Sequence, residues 1–115
     1  MGSIERFEDI VAWQKAKELV LQVYKVFGGL QDYGFKGQIE RAAVSVMNNI
    51  AEGFERQSNK EFKQFLYISK GSCAEVRSML HLAKDLNFIT EEQSRQLVIC
   101  TEEISKMLSS FIKKL

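Results

Sequence analysis

AAVSVMNNIAEGFERQSNKEFKQFLYISKGS, residues 42–72, has the pattern of two amphipathic helices joined by a short polar turn. Its apolar residues recur at intervals of three and four, which is the spacing of one face of an α-helix. Ser58 and Glu61 have the spacing of a capping box, in which the hydroxyl accepts the amide of the third residue and the carboxylate returns to the first amide. We therefore predict a helical hairpin that turns at residues 57–58.

The position of this turn also predicts which residues of the hairpin lie level. Positions whose numbers sum to about 115 should face each other, which places Gly71 opposite Ala43 and Val44. A glycine inside a helix costs about 1 kcal/mol relative to alanine, so we expect the two backbones to approach closely at Gly71. Gly53, near the end of the first helix of the hairpin, serves either close packing or helix termination.

The same helical spacing continues to both ends of the chain, which contains no proline. Short connections between helices favour antiparallel neighbours. We therefore predict an all-α, up-down-up-down antiparallel four-helix bundle that forms one domain over residues 1–115. The expected helices run from about Phe7 to Phe27, where Gly28 and Gly29 end the first, from about Lys36 to Arg56, from Ser58 to about Leu86, and from a second capping box at Thr90–Gln93 to Leu115.

The composition is that of an ordinary globular protein, with 45% hydrophobic and 27% charged residues. Lys and Arg number 16 against 15 Asp and Glu, so the overall charge does not identify a nucleic-acid binder and any such function depends on where the charges lie. The sequence has no apolar run long enough to cross a membrane and no apolar signal core near its start. We expect a cytoplasmic protein.

Residue types that carry catalysis or bind metals are sparse. His81 is the only histidine, and Cys73 and Cys100 fall on apolar positions of predicted helices. The two cysteines are interpreted as buried free thiols of a reducing compartment, and a disulfide between them is the alternative. Neither a zinc-ligand spacing nor a nucleophile with its base is present, so we expect no enzymatic activity, no metal and no cofactor.

A polar stripe runs along the second predicted helix, opposite its apolar face. It contains Arg41, Ser45, Asn48, Asn49, Glu52 and Arg56. One interpretation is a solvated helix face. The other is that Arg41, Ser45, Asn49 and Glu52 form a structural polar network at a helix or subunit contact, since short amides and arginines make fixed hydrogen bonds well.

The third predicted helix carries the best candidate for a binding surface, which we call the basic stripe. It consists of Lys63, Tyr67, Lys70, Arg77, His81 and Lys84. Ala74 separates its N-terminal half, which ends at Lys70, from its C-terminal half, which begins at Arg77. Glu61 and Glu75 should project to the other side, which leaves Asp85 as the one acid that offsets the cations. Cations on a line can follow phosphates and an aromatic ring can stack on a base, so the stripe indicates nucleic-acid binding. The alternative is a solvated flank whose long side chains cover a helix seam.

The first predicted helix has an apolar arc too wide for one bundle. We expect its core stripe to contain Trp13, Ala16, Val20, Val23, Tyr24 and Phe27. Ala12, Leu19 and Val26 form a second apolar seam beside that stripe, and we predict that this seam is an oligomer interface. The polar face of the first predicted helix carries both positive and negative charges, which argues against binding to a membrane surface.

The order of short motifs resembles a known family. The motifs are Trp13-Gln14-Lys15-Ala16, Gln38, Arg41-Ala42-Ala43, Ser45, Asn49-Ile50-Ala51-Glu52-Gly53, Ser58, Glu61-Phe62, Phe65-Leu66 and Gly71-Ser72. The set resembles bacterial four-helix-bundle proteins encoded in intervening sequences of 23S ribosomal RNA, and the fold is similar to that of the accessory variability protein of diversity-generating retroelements. The resemblance covers nearly the whole chain. It implies a barrel-like homopentamer that binds nucleic acid or a nucleic-acid enzyme such as a reverse transcriptase.

The sequence thus predicts a non-enzymatic, homo-oligomeric bundle that binds ribosomal RNA, or retroelement RNA or DNA, through a basic surface. A protein–protein interaction scaffold that binds no nucleic acid is the alternative.

Overall fold

Four long helices make up most of the computed structural model, which describes residues 4–115. After a short 3-10 turn at Phe7–Asp9 follow α1 (Val11–Phe27), α2 (Tyr33–Phe54), α3 (Asn59–Asp85) and α4 (Glu91–Lys113). Each helix packs against its neighbours in the chain, and α1 also packs against α4, which closes the bundle. No strand occurs among residues 4–115. The predicted all-α four-helix bundle is confirmed; residues 1–3 of the predicted domain lie outside the described residues.

Two helices begin at different residues from those expected. α2 starts at Tyr33 and not at Lys36, because the Asp32 carboxylate accepts a hydrogen bond from the Phe35 amide at 3.1 Å and caps the helix. Residues 7–9 form the 3-10 turn, and Ile10 is extended, so α1 begins at Val11. An aspartate cap inside a stretch that resembles a glycine-rich loop is a weak sequence signal, which explains the error at α2.

The two predicted capping boxes form to different extents. At the start of α4, Thr90 accepts a hydrogen bond from the Gln93 amide at 3.0 Å and the Gln93 side chain accepts one from the Thr90 amide at 2.9 Å. At α3, the Ser58 hydroxyl accepts from the Glu61 amide at 3.1 Å, but the Glu61 carboxylate contacts the Ser58 hydroxyl instead of its amide. The box at Thr90 is therefore complete, and the one at Ser58 is half formed.

Side-chain hydrogen bonds fix the register of α2 against α3. The buried Ser69 hydroxyl donates to the Val46 carbonyl oxygen at 2.7 Å, and the Ser45 and Ser72 hydroxyls lie 2.8 Å apart. The residue numbers of both pairs sum to within two of the expected 115. The predicted hairpin register is confirmed, and α2 and α3 are antiparallel.

Close contact between α2 and α3 occurs at Gly53 and not at Gly71. A β-carbon on Gly53 would lie 2.6 Å from the Phe65 β-carbon and 2.9 Å from the Phe62 ring. At Gly71, which is exposed, a β-carbon would meet nothing within 4 Å. The expected backbone contact between Gly71 and Ala43 is therefore wrong: Gly71 is level with α2 but points outward.

The core face of α1 is rotated from the predicted stripe. Its buried residues are Ala12, Ala16, Leu19, Val23 and Phe27. Ala12 and Leu19 are only 2% and 0% exposed, so they pack inside their own protomer, and their assignment to an oligomer interface is wrong. Tyr24, expected in the core, is 48% exposed. Apolar residues flank the buried stripe on both sides, so the spacing of apolar residues alone does not show which of them lie at the centre of the buried face.

The 3-10 turn packs against the start of α1. The rings of Phe7 and Trp13 meet edge to face, with centroids 5.2 Å apart. The Lys17 ammonium lies 5.7 Å from the Trp13 ring centroid. Trp13 is thereby held half-buried between the turn and a cation.

None of the described helices combines the length and apolar character needed to cross a membrane.

Candidate nucleic-acid interface

The basic stripe follows one side of α3, beside α4. Because α3 is unbroken from Asn59 to Asp85, Lys63 and Lys84 lie in line over about 30 Å. Tyr67 is 59% exposed, and Lys63 and Lys70 are half-buried. The structure therefore brings the predicted binding residues onto one continuous surface.

Acidic residues lie on both sides of α3, and only part of this was predicted. Glu61 contacts Ser58, and the Glu75 carboxylate accepts a hydrogen bond from the Gln38 side chain of α2 at 3.3 Å, so both point away from the stripe as expected. However, Glu102 of α4 lies 3.8 Å from the Arg77 guanidinium. The expectation that Asp85 is the one acid that offsets the stripe is therefore wrong. It considered only the acids of α3, whereas Glu102 belongs to the neighbouring helix.

The C-terminal half of the basic stripe faces further acids. A shallow cleft of about 300 Å³ beside this half contains His81 and Lys84 of α3 together with Glu91, Arg95 and Glu102 of α4, and Arg95 is itself paired with Glu92. The ion pair of Arg77 with Glu102 is about half exposed and therefore contributes little to stability, but it offsets the guanidinium charge locally. This half is close to electrically neutral.

The N-terminal half of the stripe has a different partner surface. The Cys73 thiol donates to the Thr101 carbonyl at 3.2 Å and the Ser94 hydroxyl donates to the Leu80 carbonyl at 3.3 Å, so α3 and α4 are antiparallel. Continuing this register places residues 63–70 beside residues 104–111. Beyond Glu102, the flank of α4 that faces these residues carries Ser105, Ser109 and Lys113 at helical spacing. It carries no acidic side chain.

The cations without an acid nearby therefore lie in the N-terminal half. Neither Lys63 nor Lys70 forms a salt bridge with any residue between 4 and 115. Lys84 forms no salt bridge within residues 4–115 either, but it shares its cleft with Glu91 and Glu102. Lys60, in the first turn of α3, lies on nearly the same flank. Lys63, Tyr67 and Lys70 together form a cationic surface with an exposed aromatic ring at its centre.

The predicted polar network forms around two of its four members. Asn49 donates from its side-chain amide to the Ser45 carbonyl at 2.8 Å and to the Ser45 hydroxyl at 2.9 Å, and that hydroxyl contacts Ser72. Arg41 lies over Gly37, and Glu52 is exposed beside the 3-10 turn, so neither joins the group. Ser72 was not predicted, although the hairpin register places it level with Ser45. The network connects α2 to α3 and is structural.

Both cysteines are free thiols, which excludes the disulfide alternative. Burial raises the pKa of Cys73 to about 11, and the thiol donates to the Thr101 carbonyl. Burial also raises the pKa of Cys100, against the opposing effect of the Lys15 cation. Neither group has the lowered pKa of a nucleophilic thiolate.

The groove between α1 and α4, which we call the α1–α4 seam, exposes apolar groups. Val11 and Leu21 are 58% and 59% exposed. Val11 lines a cleft of about 430 Å³ with Met107, and Leu21 lines another of about 420 Å³ with Val26. Of the three residues predicted for an oligomer interface, Val26 lines the second cleft and is partly exposed, Ala12 lines the first cleft but is only 2% exposed, and Leu19 is fully buried.

Comparisons with known proteins cover almost the whole bundle. The model of the 23S rRNA-intervening sequence protein family matches residues 8–110. The crystal structure of a protein with unknown function from the S23 ribosomal protein family of Bacteroides thetaiotaomicron is similar, with a TM-score of 0.83 and 28% identity. The similarity covers 89% of this chain and 98% of that chain. None of the curated proteins compared with this chain matches it.

Proposed function

The chain belongs to the 23S rRNA-intervening sequence protein family, and from this premise we propose that it is a non-enzymatic, homo-oligomeric protein that binds RNA through the basic stripe. The bundle acts as a rigid support, and the contact is made by side chains on α3. The free thiols of Cys73 and Cys100 fit a reducing cytoplasm. The relation to the accessory protein of diversity-generating retroelements stays a prediction.

The observation that carries this proposal is the N-terminal half of the basic stripe. Lys63 and Lys70 stand on one flank of an uninterrupted helix, with exposed Tyr67 between them and no acid on the facing part of α4. Charges held in line by a helix can follow a phosphate backbone, and each neutralised phosphate releases a counterion. A chain with a net charge of +1 can bind RNA in this way because its cations are concentrated locally.

Self-assembly into a homopentameric barrel is part of the proposal. The exposed apolar groups of the α1–α4 seam, Val11 and Leu21, support a contact between protomers. A closed ring would repeat the basic stripe around its axis. Several weak contacts on one RNA would then combine into a much higher affinity than one protomer provides.

A protein-interaction scaffold is the second candidate function. It is favoured by the exposed apolar residues of α1, namely Val11, Leu21 and Tyr24, and by the near neutrality of the C-terminal half of the stripe. In that case the partner is a protein, such as a nucleic-acid enzyme of the reverse-transcriptase kind, and the apolar surface forms the contact.

Fluorescence anisotropy with a structured RNA and a duplex DNA, each at low and moderate salt, tests the proposal. We expect wild type to bind the RNA with an affinity that falls steeply as salt rises. Lys63→Gln with Lys70→Gln should weaken binding and flatten the salt dependence. The matched pair Arg77→Gln with Lys84→Gln removes the same charge from the C-terminal half and should have a smaller effect. Absence of RNA binding at low salt would favour the scaffold.

A further inference from the structure

Building on the RNA binding proposed above, we propose that the N-terminal half of the basic stripe takes unpaired nucleotides, with a base stacked on the Tyr67 ring and phosphates held by Lys63 and Lys70. The observation behind this inference is an unexplained glycine one helical turn after Tyr67. Gly71 lies inside α3, where glycine costs about 1 kcal/mol relative to alanine. It contacts no neighbouring helix that would require a glycine, since a β-carbon there would meet open space.

The position of Gly71 gives it an effect on Tyr67. In a helix, side chains lean toward the N-terminus, so the side chain of residue i+4 lies over that of residue i. A larger residue at position 71 would therefore cover one side of the Tyr67 ring. Gly71 leaves that side uncovered, and Ala74 in the next turn is also small and exposed. Tyr67 as a whole is 59% exposed, which is the exposure that stacking on a base requires.

The lysines lie at suitable distances from this ring. At a rise of 1.5 Å per residue, Lys63 and Lys70 are about 10 Å apart along α3, which corresponds to about three nucleotides of a stacked strand. Position 67 lies between them on the same flank of the helix. Cations that follow the backbone together with an aromatic ring that stacks on a base are the arrangement of proteins that bind single strands.

A duplex cannot use this arrangement. Its bases are stacked on one another, and the deep, narrow major groove of an RNA helix excludes side chains, so Tyr67 would reach no base face. Only the few lysines of the N-terminal half would contact phosphates, because the C-terminal half is offset by Glu91 and Glu102. The surface therefore fits unpaired segments of RNA, such as loops and single strands.

The experiment compares a labelled RNA strand without self-pairing with the same strand annealed to its complement, both at low salt. We expect Tyr67→Ala to weaken single-strand binding about 5- to 100-fold, and Tyr67→Phe to retain it within about twofold. Gly71→Leu should also weaken single-strand binding while the fold keeps its thermal midpoint or gains stability. All three variants should change duplex binding by less than about twofold.

Tyr33→Ala is the matched control, because Tyr33 is 74% exposed but lies at the first residue of α2, at the opposite end of the bundle from Lys63. It should leave both affinities unchanged. If Tyr67→Ala and Gly71→Leu bind the single strand as wild type does, while Lys63→Gln with Lys70→Gln binds it less, the stacking inference is overturned and the proposed RNA binding stands. If wild type binds neither RNA, both fail.

Discussion

Gly53 of α2 lies directly against Phe65 of α3, so close that a β-carbon on Gly53 would be 2.6 Å from the Phe65 β-carbon. The Phe65 β-carbon is bound to the backbone, and a change of side-chain rotamer cannot move it away. Gly53→Ala should therefore push α2 and α3 apart and lower the free energy of unfolding by about 1 to 3 kcal/mol. Urea unfolding followed by circular dichroism measures this change.

Gly71→Ala is the control for that variant and should have the opposite sign. Position 71 is helical and has open space around it, so alanine should raise the free energy of unfolding by up to about 1 kcal/mol through helix propensity. Equal effects of the two substitutions would contradict the packing of α2 against α3 described above.

The buried Ser69 hydroxyl links α3 to α2 through its hydrogen bond to the Val46 carbonyl. Ser69→Ala should lower the free energy of unfolding by about 1 kcal/mol, since one buried hydrogen bond is lost. Ser78→Ala, at an exposed position of the same helix, should change it by less than about 0.5 kcal/mol. Thermal denaturation of both variants separates the two cases, and a Ser69 variant as stable as wild type would show that the bond contributes nothing.

Because of Cys73, the free energy of unfolding of the bundle should fall as the pH becomes alkaline. Burial raises the pKa of its thiol from 9.0 to about 11, so the native state keeps a proton that the unfolded chain loses. The contribution of Cys73 is therefore fully present below about pH 9 and is lost as the pH rises toward 11. Urea unfolding between about pH 8 and 11 should show a larger fall for wild type than for Cys73→Ser, because serine keeps a hydroxyl donor but does not titrate. Parallel curves would contradict the raised pKa.

The α1–α4 seam should respond to charge differently from the core beneath it. Leu21→Glu places a carboxylate at a 59% exposed position, so the protomer should stay helical while assembly weakens. Leu19→Glu places the same charge at a fully buried position and should unfold the protomer. Light scattering coupled to size exclusion gives the mass, expected near that of a pentamer for wild type. A wild-type monomer at micromolar concentration would rule out the assembly.

Elements of the fold that depend on local pattern were predictable from the sequence. The turn at Ser58 predicts the register of α2 against α3, and the cap at Thr90 predicts where α4 begins. The face of α1 was not predictable in the same way, because apolar residues on both sides of Leu19 allow more than one rotation. Only packing against α2 and α4 selects which side is buried.

The candidate site shows the same limit. Periodicity placed Lys63, Tyr67 and Lys70 on one flank correctly, since this depends on α3 alone. The neutralisation of Arg77 by Glu102 depends on how α4 lies beside α3, which no pattern within one helix contains. The role of Gly71 also depends on its surroundings in the fold, because a glycine at a close helix contact and a glycine facing open space are identical in sequence.

Trp13 turns the contact between the 3-10 turn and α1 into an optical signal. It is the only tryptophan in the chain, and its ring is held between Phe7 and the Lys17 ammonium at the end where the described chain enters the bundle. Its fluorescence therefore reports on the environment of that end alone, whereas far-ultraviolet circular dichroism averages over all helices. An unfolding midpoint that is lower by fluorescence than by dichroism would show that residues 7–9 detach from α1 before the bundle unfolds.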